Sequence, residues 1–189
     1  MCVICYVPAG VKLPPYRIIK AMRQANPHGM GFCTPSRYDR GVNNFESFYK
    51  KLKRRNINEP CIMHFRLATH GSIKTSNCHP FRDAKLGLYF AHNGVLPIEA
   101  VNDKTDSETA FRKRFLPIIR KYGLDSKEFN DSVEGILGCS KFIFMQCSEQ
   151  TIREGKGGTI EKNIKVKMYG NFEEYDGCYY SNLRFIPYL

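Results

Sequence analysis

The first two residues, Met1 and Cys2, could supply a nucleophile together with its own base. Because cysteine is small, we expect an aminopeptidase to remove Met1 and leave Cys2 with both a thiol and a free α-amine. Ordinary pKa values are about 7.7–8.0 for the amine and about 8.5 for the thiol, so the neutral amine can accept the thiol proton near neutral pH. A small second residue is commonplace by itself, but this one would suit N-terminal nucleophile catalysis.

Further polar residues that suit amide chemistry gather at the ends of apolar stretches. Functional side chains are commonly found on such loops, where a rigid scaffold holds them. Arg66 is notable because it lies in an apolar stretch and must find a partner there, either a buried carboxylate such as Asp83 or Glu108, or a ligand. The segments concerned are 26–32, 64–71, 77–81, 91–94 and 105–108.

Taken in order behind Cys2, these segments resemble the class II glutamine amidotransferase family, whose glutaminase domains are N-terminal nucleophile hydrolases. His64–Gly71 looks like the family's Arg-x-Ala-Thr-His/Gln-Gly strand and loop. Asn77–Phe81 looks like its glutamine loop, and His92-Asn93-Gly94 like its oxyanion turn. Thr105–Glu108 looks like the Thr-Asp-Ser/Thr-Glu start of a helix. The resemblance covers residues 2 to about 111, a little over half of the chain.

The resemblance implies that Cys2, Asn93 and Gly94 are the catalytic residues. Cys2 would attack the carbonyl, while the Asn93 side-chain amide and the Gly94 N–H would stabilise the oxyanion. Loss of one such donor typically costs roughly 2.7–4 kcal/mol of transition-state stabilisation. The alternative for Asn93-Gly94 is an ordinary hairpin turn. No cofactor and no metal are expected, because the five histidines lack a fixed ligand spacing.

The same resemblance implies that free L-glutamine is the substrate and that Arg66, Thr69, His70 and Asp106 bind it. The planar guanidinium of Arg66 suits a bidentate grip on the α-carboxylate. Asp106 would receive the ammonium group, and Thr69 and His70 would contact the substrate or support the pocket. Thr105–Glu108 also reads as a capping box with Thr105 as N-cap, and both readings of this segment can hold together.

Some positions depart from the family or suggest structural roles. Leu67 stands where the family usually has a large aromatic residue, and the interval between Asn93 and Asp106 is shorter than in larger members. We expect His79 to orient the glutamine loop. His28, His64 and His92 are expected to play structural or supporting roles.

Hydrophobic patterning predicts mixed strands and helices that do not alternate as βαβ units. The resemblance implies an α+β fold, a four-layer αββα sandwich with two antiparallel sheets between helix layers. Residues 34–43 and 69–81 read as loops, and 155–158 as a hairpin tip. Strands are predicted at 2–7, 28–33, 61–67, 86–91 and 141–147, with short strands near 150–154, 163–169 and 178–185, and helices at 14–25, 44–55, 105–121 and 127–137.

Size and composition fit one globular domain spanning residues 1–189. No signal peptide or membrane span is evident, so a cytoplasmic location without membrane contact is expected. The eight dispersed cysteines read as buried free thiols. The net charge of +11 reads mainly as solvated helix faces, although docking to an acidic partner or to nucleic acid stays open.

The family resemblance also implies a partner. The chain has no room for a synthase domain that would consume ammonia, so a separate synthase is expected to use it. Two other functions remain open: an N-terminal nucleophile amidase acting on another amide, and a non-catalytic glutamine-binding domain.

Overall fold

The computed structural model describes residues 2–69, 71–100, 103–154 and 157–189, and it describes no side chains between 149 and 162. The strands of the described residues are β1 (Val3–Val7), β2 (Met30–Cys33), β3 (Tyr38–Gly41), β4 (Cys61–Phe65), β5 (Phe81–Asp83), β6 (Leu88–Asn93), β7 (Lys141–Glu154), β8 (Gly157–Tyr169), β9 (Glu173–Tyr175) and β10 (Cys178–Tyr180). The α-helices are α1 (Tyr16–Ala25), α2 (Phe45–Leu52), α3 (Asp106–Thr109), α4 (Leu116–Tyr122) and α5 (Lys127–Leu137). A π-helical stretch, Ala110–Phe115, joins α3 to α4, and 3₁₀ turns lie at Thr75–Asn77 and Ile186–Tyr188.

The strands form two sheets in which every neighbouring pair is antiparallel. The first sheet has six strands in the spatial order β3-β2-β4-β1-β10-β9. The second has four strands in the order β5-β6-β7-β8. Antiparallel pairing agrees with the absence of βαβ alternation in the sequence.

Three apolar clusters show how the layers stack. Helices α1 and α2 pack on the outer face of the first sheet through residues such as Ile19, Phe48 and Phe65. The helices between 106 and 137 pack on the outer face of the second sheet. A third cluster joins the two sheets and includes Ile4 and Ile143. The fold is therefore α+β with layers in the order αββα, as the resemblance implied.

Alternation along β1 and β4 decides which side chains face the second sheet. Ile4 and Ile62 belong to the cluster between the sheets, whereas Val3 and Cys5 belong to the cluster under α1 and α2. Side chains two residues apart share a face of a strand. Cys2 and Arg66, which flank these strands, are therefore expected on the side that faces the second sheet.

The structure corrects several of the predicted elements. The predicted loop 34–43 contains β3, a partly exposed edge strand whose Tyr-Asp-Arg-Gly sequence carries no alternating apolar pattern. The predicted loop 69–81 contains a 3₁₀ turn and the start of β5. The separate strands predicted near 150–154 and 163–169 are parts of the long hairpin β7–β8. In the segment 178–185 only Cys178–Tyr180 is a strand.

Other predictions hold. Helix α5 spans the predicted residues 127–137, and α1, α2 and β1 lie where they were predicted. The predicted hairpin tip lies partly outside the described residues. No helix in the described parts of the chain is both long enough and apolar enough to cross a membrane.

Candidate active site between the two sheets

Cys2 lies at the start of β1, beside the end of β4. The register pairs Val3 with Phe65, so Cys2 lies one step further along, beside Arg66 and Leu67. The Leu67 N–H donates to the Cys2 Sγ at 3.4 Å, and the sulfur lies 3.5 Å from the Leu67 carbonyl oxygen. Cys2 is partly buried, and this burial raises the pKa of its thiol, although the Leu67 N–H and the charge of Arg66 oppose the rise. Met1 lies outside the described residues.

Arg66 is buried, with only 3% of its surface exposed. Its guanidinium donates to the carbonyl oxygens of Ser72 at 2.8 Å and Gly71 at 3.2 Å. The two carboxylates considered as ion-pair partners lie against other arginines, Asp83 against Arg120 and Glu108 against Arg112. Arg66 thus joins the end of β4 to the loop that begins at Gly71.

Asn93 ends β6, and Gly94 turns the chain away from the sheet. Gly94 has φ +149°, and a Cβ there would lie 2.3 Å from the Ser140 Oγ. Only glycine avoids both the conformational strain and the clash. Since β6 pairs with β5 and β7 rather than with the segment after Gly94, the Asn-Gly pair is not a two-residue hairpin turn.

The Asn93 side chain is fixed by a residue that sequence reasoning missed. Its Nδ2 donates to the Ser181 Oγ at 2.9 Å, and the same oxygen accepts the Ile4 N–H at 2.9 Å. An amide nitrogen carries two N–H groups, so one remains for a further acceptor. The buried Ser181 therefore connects the Asn93 amide to β1, two residues after Cys2.

Asn182 ties the Cys2 backbone to the same segment. Its Nδ2 donates to the Cys2 carbonyl oxygen at 2.8 Å, and its Oδ1 accepts the Arg184 N–H at 3.1 Å. Two adjacent residues after β10 thus contact both Cys2 and Asn93. The Ser181-Asn182 pair carries no recognisable motif, and its partners lie far away in sequence, so no local pattern could have revealed it.

Asp106 is buried at the beginning of α3. Its carboxylate accepts the N–H groups of Leu96 and Ser107, each at 2.7 Å. Thr105 caps the helix, since its Oγ1 accepts the Glu108 N–H at 3.1 Å. The capping role predicted for Thr105 is therefore present, and Asp106 fixes the segment that follows Gly94.

Asp103 clasps the loop that begins at Gly71. Its carboxylate accepts the Ser72 N–H and hydroxyl and forms an ion pair with Lys74 at 2.6 Å. Hydrogen bonds from Lys74 and Ser72 lower the pKa of Asp103 to about 2. The Asn77 Nδ2 also donates to the Asp103 carbonyl oxygen. This clasp holds the loop against the segment that leads to Asp106.

The remaining predicted residues, Thr69 and His70, directly precede this loop in the sequence. Thr69 is exposed, and His70 lies outside the described residues. The preceding residue, Ala68, donates its N–H to the His28 Nδ1 at 2.9 Å. His28 also donates its own N–H to the Arg66 carbonyl oxygen. His28 therefore supports the base of the loop.

Three buried histidines lie behind the site. The rings of His64 and His79 are 4.3 Å apart, and the His64 Nε2 lies 3.1 Å from the His92 carbonyl oxygen. The His92 Nδ1 meets the Ser107 Oγ at 2.7 Å. Burial lowers the pKa of His64 to about 3 and that of His92 to about 4, and burial also lowers the pKa of His79. All three rings are therefore neutral at pH 7.

Among the described residues, no group of three or more His, Cys, Asp or Glu side chains is arranged to bind a metal ion. None of the eight cysteines, all of which lie among the described residues, forms a disulfide; Cys139 is exposed, and the others are buried or partly buried.

Comparison with known protein families finds a match over just under half of the chain. A family model described as "Glutamine amidotransferases class-II" matches residues 43–136. The matched segment contains Arg66, Asn93 and Asp106, while Cys2 and Ser181 lie outside it. No curated protein matches the chain.

Proposed function

We propose that residues 1–189 form one glutaminase domain of the class II glutamine amidotransferase family, whose model matches residues 43–136. The domain hydrolyses L-glutamine to glutamate and ammonia. Cys2 is its nucleophile once Met1 has been removed.

One observation supports this proposal: hydrogen bonds connect Cys2 to Leu67, the neighbour of Arg66, and connect Asn93 through Ser181 to Ile4 on the strand that follows Cys2. A thiol, a guanidinium and an amide donor are the groups that an attack on glutamine requires, as nucleophile, carboxylate anchor and oxyanion donor.

In the proposed reaction the Cys2 amine takes the proton of its own thiol. The sulfur then bonds to the amide carbon, and the carbonyl electrons move to the oxygen, which the Asn93 amide and the Gly94 N–H stabilise. When this intermediate collapses, the C–N bond breaks and the protonated amine gives its proton to the departing ammonia. Water then attacks the thioester, releases glutamate and restores the thiol.

The raised pKa of the Cys2 thiol explains why a local base is needed. Burial keeps the thiol protonated near pH 7, so little thiolate is available for a direct attack. An α-amine with an ordinary pKa of about 7.7–8.0 is largely unprotonated at slightly alkaline pH, so it can then accept the thiol proton. Activity is therefore expected to rise between about pH 7 and 8.5.

Intact-mass analysis combined with a glutamine-mimicking electrophile tests the proposal. We expect material without Met1 that gains one adduct, at Cys2, together with glutaminase activity. Cys2→Ala should abolish both. The matched control is Cys139→Ala, which removes an exposed thiol far along the chain and should change neither. Full activity in material that retains Met1 would refute the mechanism.

The same assay separates the other two functions. Hydrolysis of other amides but not of glutamine would favour a different N-terminal nucleophile amidase. Binding of glutamine without turnover would favour a non-catalytic domain. The proposed glutaminase would deliver its ammonia to a separate synthase.

A further inference from the structure

The positive charge of the chain is concentrated in one segment. Residues 12–55 contain eleven Lys and Arg residues and two Asp and Glu residues, so this segment carries nine of the eleven net positive charges. The helical segment 106–137 contains six residues of each sign and is neutral overall. The two helix layers of the fold therefore differ sharply in charge.

Helices α1 and α2 lie side by side, so the basic residues on and near them form one continuous surface. Both pack on the outer face of the first sheet. They meet where Tyr16 donates its hydroxyl proton to Glu46 at 2.6 Å and packs against the rings of Phe45 and Tyr49. The exposed basic residues of this basic layer are Lys12, Arg17, Lys20, Lys50, Lys51, Lys53 and Arg54.

Most of this charge is not neutralised within the protein. Every residue from 12 to 55 is described, and Lys51 alone among their cations forms an ion pair, with Asp39. Arg23 and Arg55 donate to carbonyl oxygens, which hold the side chains in place without cancelling their charge. A surface of this kind attracts polyanions.

A shallow groove in the basic layer adds an aromatic face. It has a volume of about 360 Å³ and runs between Lys12 and Ile57, with Tyr16, Tyr49 and Lys53 along it. Tyr16 is 36% exposed, and its ring centroid lies 4.8 Å from that of Tyr49. Lys53 lies 5.3 Å from the centre of the Tyr49 ring. Rings among cations are the elements on which unpaired bases stack while phosphates bind nearby.

We propose that the basic layer, formed by α1, α2 and the flanking segments 12–15 and 53–55, binds single-stranded nucleic acid. The phosphates contact the Lys and Arg side chains, and a base stacks on Tyr16. The exposed ring favours nucleic acid over an acidic protein segment, for which cations alone would suffice. This binding does not depend on the proposed glutaminase activity, since the layer covers the outer face of the first sheet and the candidate active site lies on its inner face.

Fluorescence anisotropy with a labelled single-stranded oligonucleotide of about 20 nucleotides tests this proposal. The triple variant Lys50→Glu, Lys53→Glu, Arg54→Glu reverses three exposed charges of the layer. We expect it to weaken binding more than tenfold and to reduce the slope of log affinity against log salt concentration by roughly 2, about 0.7 for each lost phosphate contact. Tyr16→Ala should weaken binding of the single strand more than binding of a duplex.

The control variant carries Lys85→Glu, Lys113→Glu and Lys121→Glu, which change the net charge equally at exposed positions outside the layer. It should bind within about twofold of the parent protein. Equal losses of oligonucleotide affinity in both triple variants would overturn the proposal, because binding would then follow net charge alone. Equal affinity for polyglutamate and the oligonucleotide would also overturn it and favour an acidic protein. Glutaminase activity, measured in parallel, should be the same in both triple variants.

Discussion

Arg66 meets the carbonyl oxygens of Ser72 and Gly71, so it links the loop to the place where the substrate carboxylate is expected. The guanidinium has five N–H donors in a rigid fork. It can therefore hold the loop backbone and an incoming carboxylate at once. A lysine at this position offers a point charge without the fork.

Arg66→Lys is accordingly expected to raise KM for glutamine about tenfold or more with a smaller change in kcat. Steady-state kinetics on purified protein measure this difference. Arg40→Lys is the control, because Arg40 also donates to carbonyl oxygens of this loop, those of Ser76 and Cys78. An equal rise of KM in both variants would assign the effect to loop disturbance and remove Arg66 from the substrate site.

Ser181 is expected to matter through Asn93. Ser181→Ala removes the acceptor of both the Asn93 amide and the Ile4 N–H, so the amide loses its fixed orientation. We expect kcat to fall roughly tenfold or more with little change in KM, because oxyanion donors act mainly in the transition state. Buried groups left unpaired also lower the free energy of unfolding by about 1–3 kcal/mol.

Ser132→Ala provides the comparison for this loss. Ser132 is a buried serine whose hydroxyl accepts a hydrogen bond from Arg114 Nε between helices on the second sheet. Ser132→Ala should lower the melting temperature without changing kcat. If Ser181→Ala lost stability but kept its kcat, Ser181 would have a structural role only.

At the residue scale, the sequence predicted those site residues whose side-chain type by itself indicates the chemistry. Cys2, Arg66 and Asn93 suit amide hydrolysis by their functional groups, and family-like spacing pointed to the last two. Ser181 and Asn182 are common polar residues whose partners lie 177 and 180 residues away. Contacts of this range depend on how the strands pair, which no local pattern encodes.

At the scale of elements, the clasp of Asp103 on Ser72 and Lys74 determines where the loop lies. Asp103 has φ +58°, a left-handed conformation that aspartate and asparagine tolerate better than most residues. Because its pKa is near 2, the carboxylate remains charged throughout the neutral pH range. The clasp therefore responds to salt rather than to moderate changes of pH.

Asp103→Asn keeps the backbone conformation but removes the charge. We expect KM for glutamine to rise several-fold, while the melting temperature changes little because the pair is exposed. The matched control is Asp131→Asn, which breaks the exposed pair with Lys127 on α5. High salt should raise KM of the parent protein toward that of Asp103→Asn, and a salt-independent KM would contradict the clasp.

The elements themselves were predicted where the apolar pattern was strong. Helix α5 shows a helical repeat and a serine cap, and its bounds followed from the sequence. Strand β3 was missed because its four residues are polar and partly exposed. Its position depends on pairing with β2 rather than on its own composition.

For the whole molecule, the three buried histidines make stability depend on pH. Their folded-state pKa values lie below the unfolded value of about 6.5. The unfolded chain therefore binds more protons below pH 6.5, and stability must fall as the pH falls. Between pH 7 and pH 5, His64 and His92 are each expected to lower the free energy of unfolding by about 2 kcal/mol.

Chemical denaturation at pH 7 and at pH 5 measures this loss. His79→Leu should reduce the difference in free energy of unfolding between the two pH values, because neither ring nitrogen of His79 has a hydrogen-bond partner among the described residues. The slope of the free energy of unfolding against pH should decrease by the amount that corresponds to about one bound proton. An unchanged pH dependence would show that His79 is not neutralised by burial.

The double attachment of Ser181 and Asn182 has a consequence for truncated versions of the protein. Asn182 lies 180 residues after Cys2, whose carbonyl oxygen it binds. A version shortened before Ser181 would contain the whole matched region yet lack the hydrogen bonds that fix the Cys2 backbone and the Asn93 amide. The matched region is therefore expected to be insufficient for the proposed activity.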